Sequence, residues 1–116
     1  MSYAIRLDFP PSVNLYWRRG PRGQYLSKQG RAFKLHVKER IADEFGAVDL
    51  LTGRLGIAIE LCRGDKRVYD CDNYCKALAD ALEGVLFVND SQVDAWQITR
   101  GPVSPPGHVD VIVSEL

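Results

Sequence analysis

The sequence predicts an α+β fold: one domain over residues 1–116, built from a mixed β-sheet and two main helices in the order β-α-β-α-β-β. Three observations carry this expectation. Four short stretches read as strands, the first of them, Tyr3 to Phe9, alternating apolar and polar residues with the strand period of two. One long stretch repeats its apolar residues every four positions, the spacing of a helix face. Runs rich in Gly and Pro separate these stretches.

Tyr3 to Phe9 alternates and reads as the first strand, which Pro10 and Pro11 end because proline donates no backbone hydrogen bond. Residues 12–26 are rich in Gly, Arg, Asn and Tyr and read as a long loop or a loose hairpin. Ser27 is placed to cap a helix that runs to about Phe45, with Gly46 as its stop. Phe33, Val37, Ile41 and Phe45 mark its core side; Arg31, Lys34 and Lys38 fall on another face. Leu55 to Leu61 reads as the second strand and Arg63 to Tyr69 as a charged turn. Asp70 or Asp72 is expected to cap a second helix ending near Gly84, with Tyr74, Leu78, Ala81 and Val85 as its apolar side. Val93 to Thr99 and His108 to Val113 read as two further strands, joined by the Gly-Pro-rich loop 101–107.

Hydrophobic residues make up 46% of the chain, enough for a real core. A domain of this length hides well over half of its unfolded surface, so a bound metal would serve chemistry rather than folding. The cysteines, Cys62, Cys71 and Cys75, are odd in number and irregularly spaced, which argues against a disulfide framework. Cys71 and Cys75 would share one side of a helix, but no second pair completes a zinc site, and His36 and His108 are far away in sequence. They read as small apolar fillers in a reducing compartment. The N-terminus has no long apolar stretch and no run reaches membrane-spanning length, so a cytoplasmic protein with no membrane partner is expected.

Net charge is zero, yet it is unevenly distributed. Residues 1–40 hold nine Lys or Arg against two acids, Asp8 and Glu39; the remainder holds six bases against thirteen acids. Such asymmetry suggests a basic surface beside an acidic site, unless the two halves interleave in the fold.

The acidic residues with chemical potential lie from Asp70 to Asp90. Asp70 and Asp72 fall where a turn becomes a helix, and Asn73, Lys76 and Asp80 follow at helical spacing. Converging carboxylates beside a lysine suit Mg²⁺, which takes oxygen ligands and is usually held by a few carboxylates plus a substrate phosphate. Such an ion polarises a phosphodiester and lowers the pKa of an attacking water, and Lys76 could offset the charge of the transition state. Plainer readings exist for each residue alone: Asp72 as a helix cap, Lys76 and Asp80 as an i,i+4 surface pair, Asp90 as ordinary turn chemistry. An EF-hand is excluded, because its sixth loop position requires Gly and holds Cys75 here; P-loop and dinucleotide fingerprints are absent.

Basic and aromatic residues interleave from Asn14 through Tyr16, Trp17, Arg18, Arg19 and Arg22 to Tyr25. Arginine reaches phosphates and aromatic rings stack on bases, so the segment reads as a nucleic-acid contact loop; the alternative is a solvated loop whose aromatics, Tyr16 above all, lie on the core. Lys28, Arg31 and Lys34 on the helix, and Arg67 and Asn73 near the acids, extend the set of candidate DNA contacts.

These residues resemble the RusA family of Holliday-junction resolvases, often encoded by phages or prophages. The resemblance runs almost end to end, from Pro10-Pro11-Ser12 and Asn14 through Ser27 and Gly30. Its most specific part is Asp-x-Asp-Asn-x-x-Lys-x-x-x-Asp-x-Leu at 70–82, followed by Asp90-Ser91-Gln92-Val93. It implies that Asp70, Asp72 and Asp90 are metal-binding catalytic acids and Lys76 a catalytic lysine. It further implies Mg²⁺ dependence, a homodimer, and paired nicks across a four-way junction in DNA recombination and repair. The chain departs at Asn89, where family members often carry another acid. Two rival readings are a non-catalytic module binding branched DNA and a Mg²⁺-dependent enzyme acting on a small phosphate.

Overall fold

The computed structural model describes residues Met1–Leu116. The chain runs β1 (Ser2–Asp8), α1 (Val13–Tyr16), β2 (Trp17–Gly20), β3 (Gly23–Leu26), α2 (Lys28–Phe45), β4 (Leu55–Cys62), α3 (Cys75–Leu82), β5 (Val93–Arg100) and β6 (His108–Glu115). Two 3-10 turns, Cys71–Tyr74 and Asp90–Gln92, precede α3 and β5. The α+β class and the mixed sheet agree with the sequence; α1 and the β2–β3 hairpin resolve what the sequence leaves as loop or hairpin.

The main sheet has the order β1-β6-β4-β5. β6 pairs antiparallel with β1, from Ser2↔Ser114 to Asp8↔His108, and with β4 on its other side. β5 pairs parallel with β4, with one register slip between Leu55 and Gly56. A parallel pair needs a crossover, and α3 supplies it.

Alternation decides which face is covered. Leu55, Ile57, Ile59 and Leu61 of β4 are buried, as are Val109, Val111 and Val113 of β6 and Ile5 and Leu7 of β1. They meet Phe33, Val37 and Ile41 of α2 and Leu78, Ala81 and Leu82 of α3 in one core. Each buried Val, Leu, Ile or Phe side chain among them contributes about 1.5–3 kcal/mol by leaving water. Residues on the opposite face, among them Arg6 and Ile112, stay exposed.

Local signals set the helix ends. The Ser27 hydroxyl accepts from the Gly30 N–H at 2.9 Å, the cap expected of it. Gly46 ends α2 with φ 70°, and its N–H bonds the Ala42 carbonyl. The second helix differs from expectation: neither Asp70 nor Asp72 caps it. The chain enters through the 3-10 turn, whose N-cap Asp70 makes no side-chain cap bond, and α3 itself starts at Cys75 with Tyr74 before it. It also stops earlier, at Leu82, so Val85 lies beyond the helix, where it is half-buried against the core.

Candidate active site

α3 presents one stripe to a cleft of about 320 Å³. Cys75, Lys76 and Ala79 line it from the helix and Asp72 from the preceding 3-10 turn; Asp90 and Trp96 enter from the turn before β5 and from β5 itself. Asp72 and Asp90 are exposed, enter no ion pair, and are not spent on capping. Two free carboxylates and one amine therefore face a shared space from opposite sides in sequence.

The Asp90 turn is held firmly. Gln92, 8% exposed, accepts from the N–H groups of Val88 (2.9 Å) and Asn89 (2.8 Å) through Oε1. Its Nε2 donates to the carbonyl oxygens of Leu51 and Gly53, each at 2.9 Å. Asn89 accepts from the Ser91 N–H and completes a capping box. Arg54 adds a brace: it donates to the Ser91 carbonyl at 2.9 Å and pairs with Asp94. Trp96 is a cleft residue that the sequence reading did not name, and Gln92, named there only within Asp90-Ser91-Gln92-Val93, is what holds the turn. An Asn-x-x-Gln spacing before a strand was the available signal for Gln92.

The donor set suits a hard cation. Burial, then the charge of Asp72, push the Cys75 thiol up to about 11, so without a metal the cleft presents a neutral thiol beside its two carboxylates. No histidine lines the cleft, which leaves carboxylate oxygens as ligands. Mg²⁺ fits such a site, because it needs few protein carboxylates when waters and a substrate phosphate complete its shell.

Asp70 stands apart. It is exposed at the head of the 3-10 turn and does not line the cleft, and no three acid, Cys or His side chains anywhere in the chain gather closely enough to enclose a metal. The structure thus brings Asp72, Lys76 and Asp90 together and leaves Asp70 at the margin.

The chain is similar to known proteins along nearly its whole length. The family model described as Endodeoxyribonuclease RusA matches residues 8–113. The chain belongs to the RusA family. Its relatives include a protein of Enterobacteria phage HK97 named crossover junction endodeoxyribonuclease rusA, 34% identical, with the match covering 98% of this chain and 95% of the relative. The protein of the same name from Escherichia coli (strain K12) is 31% identical over 99% of this chain and 96% of its own length. That of Enterobacteria phage 82 is also 31% identical, over 99% and 96%.

The basic segment of this RusA chain is a hairpin. β2 and β3 pair from Trp17↔Leu26 to Gly20↔Gly23, and the turn runs through Pro21 and Arg22 to Gly23 at φ 102°. Arg18, Arg19 and Arg22 are exposed and enter no ion pair, and Asn14 and Lys28 are exposed nearby. Arg31 donates to the Leu26 carbonyl at 2.8 Å, tying the hairpin's end to α2.

Several expectations need correction here. Tyr16 is fully buried, 0% exposed, and cannot stack on a base; its ring fills the core and its hydroxyl donates to Asp80. Burial first, then that bond, raise the Tyr16 phenol far above its ordinary value, so it remains a donor. Asp80 does not pair with Lys76: its carboxylate is occupied by Tyr16 and by the Lys34 amine at 3.6 Å. Lys34, half-exposed, therefore shares its charge with Asp80 rather than offering it whole to DNA. Arg67 is exposed but clamps Asp65 at 2.9 and 2.8 Å, and with Arg63 it holds that carboxyl well below the usual range. Asn73 is half-buried in the 3-10 turn, its N–H on the Asp70 carbonyl.

Proposed function

We propose that this protein is a Mg²⁺-dependent, structure-specific endodeoxyribonuclease that resolves four-way DNA junctions by paired phosphodiester hydrolysis. The observation that carries the reading is the meeting of Asp72, Lys76 and Asp90 at one cleft, with carboxylates left free, in a chain of the RusA family. Asp72 and Asp90 would hold the ion, with Asp70 contributing from the rim once DNA is bound. Bound there, Mg²⁺ supplies a polarised phosphate and a water of lowered pKa. Lys76 places a positive charge in the same cleft, where it favours the charge that builds on the departing oxygen. The exposed arginines of the β2–β3 hairpin supply phosphate contacts that position the duplex arms without reading sequence. The relatives' name, crossover junction endodeoxyribonuclease, supports branched DNA as the substrate.

A four-way junction has two equivalent strands to cut, and a C2 homodimer would present two identical clefts to them. The deciding experiment is a nicking assay on a synthetic four-way junction, with and without Mg²⁺, beside a linear duplex of the same sequence. Paired nicks in the junction alone, lost on chelation, are expected. Metal-dependent hydrolysis of a small phosphate without junction cutting, or junction binding with no cutting under any divalent ion, would overturn the reading.

A further inference from the structure

The β2–β3 hairpin stands outside the main sheet, and a two-stranded ribbon alone is barely stable in water. Its direction is therefore set at its feet. The first foot is Tyr16, the residue before β2; the second is Ser27, the residue after β3. The feet are joined: the Ser27 N–H donates to the Tyr16 carbonyl at 3.0 Å, and the Ser27 hydroxyl donates to the Leu15 carbonyl. Gly30 lies so close that a Cβ there would come 2.5 Å from the Tyr16 carbonyl oxygen. Tyr16 in turn reaches α3, where its hydroxyl meets Asp80, one turn beyond Lys76 and adjacent to Ala79 of the cleft wall. Lys34 of α2 closes on the same carboxylate.

We propose that the Tyr16–Asp80 bond is a positioning link that registers the arginine hairpin with the acidic cleft, and so selects which phosphate is cut. The inference rests on the nuclease reading above. A buried tyrosine needs some acceptor, and a backbone carbonyl would serve. Here the acceptor is a half-buried carboxylate on the very helix that carries Lys76, and the same carboxylate takes the Lys34 amine, so the bond joins the hairpin's foot to two helices at once. What the arrangement achieves is rigidity between the group that grips the backbone and the group that does chemistry on it. Neither Tyr16 nor Asp80 lies where it would touch the scissile phosphate; both act through the hairpin and through α3.

The test maps cleavage at nucleotide resolution on an end-labelled four-way junction, under single turnover with Mg²⁺. Wild type should cut at one phosphodiester in each of two strands. Tyr16→Phe and Asp80→Ala should spread the cuts to neighbouring phosphates and slow the main one by up to about a hundredfold, the scale of an ångström's misplacement. Their dissociation constants for the junction should stay close to wild type. Asp80→Asn keeps an acceptor for the hydroxyl and should restore the single cut site. Cut positions unchanged in Tyr16→Phe and Asp80→Ala, whatever the rate, would show that the bond only stabilises the fold and would overturn the inference. Should Asp80→Ala fail to fold, Tyr16→Phe, which leaves the ring in the core, decides alone. A wild-type protein that cuts no junction would instead sink the nuclease reading itself.

Discussion

Asn89 and Gln92 cap each other across the turn that carries Asp90. Four hydrogen bonds converge on the Gln92 amide, and they connect the turn to Leu51 and Gly53 on the far side of β4's start. Gln92→Ala should leave buried N–H and C=O groups without partners, at a cost of about 2–3 kcal/mol. Urea unfolding should show a lower midpoint with an unchanged slope. A midpoint within error of wild type would mean that water replaces the amide without penalty.

Asp72→Asn and Asp90→Asn should each abolish junction cutting while leaving junction binding intact or tighter. On the proposed reading each would lose a metal ligand and remove a negative charge that repels DNA. Asp70→Asn should do the same if the rim carboxylate joins the ion when DNA is bound. Since Asp70 does not line the cleft, that variant is the sharpest of the three. Undiminished cutting by any one of them strikes that residue from the site.

Arg18→Ala and Arg22→Ala should weaken binding to any DNA and reduce the slope of log affinity against log salt by roughly one each, as for a lost phosphate contact. Lys34→Ala should reduce it less, because its amine is already shared with Asp80. Filter binding from low to moderate salt measures all three. Equal slopes throughout would make the hairpin a merely solvated surface.

Lys76→Ala should slow single-turnover cleavage of a saturated junction complex by on the order of a hundredfold. Its melting temperature should match wild type. An ordinary surface pair between Lys76 and Asp80 is removed as an alternative, since Asp80 is engaged by Tyr16 and Lys34. Cleavage at the wild-type rate would reduce Lys76 to a bystander.

Cys75 should resist alkylation. Its thiol is pushed up to about 11 by burial and by Asp72, so at pH 8 the reactive thiolate is scarcer than in an ordinary cysteine by roughly a hundredfold. The rate with iodoacetamide, followed by mass spectrometry, should rise with pH through that value and jump when the chain is unfolded in urea. Reaction at pH 8 as fast as in the unfolded chain would place the thiol in open solvent.

Much of the fold was legible because its signals are local. The fourfold spacing of Phe33, Val37 and Ile41, the Ser27 cap and the Gly46 stop all lie within α2 and its ends, and they define it without reference to the rest. The first strand announces itself by alternation, and Lys76 by its helical spacing from Asp72. What stayed hidden depends on partners distant in sequence. Asp80 reads as a mate for Lys76, four residues away; its true partners are Tyr16 and Lys34, brought in by α1 and α2. Tyr16 sits among arginines in the sequence, so nothing local separates it from a base-stacking ring. Only the closing of the hairpin's feet turns it inward. The non-capping of Asp70 and Asp72 was equally illegible, because a 3-10 entry and a capped α-helix share the same residues at their start.

The position of β6 also governs how the chain can be made. It is the last strand in sequence yet lies between β1 and β4, and every hydrogen bond of β1 to the sheet runs through it. On a ribosome, where synthesis is slower than most local folding, β1 must wait with both edges unpaired until residues 108–115 emerge. A nascent chain stalled at residue 107 should be open to protease at β1, while one carrying β6 should be resistant. Closure of the β1 edge thus waits on the emergence of residues 108–115.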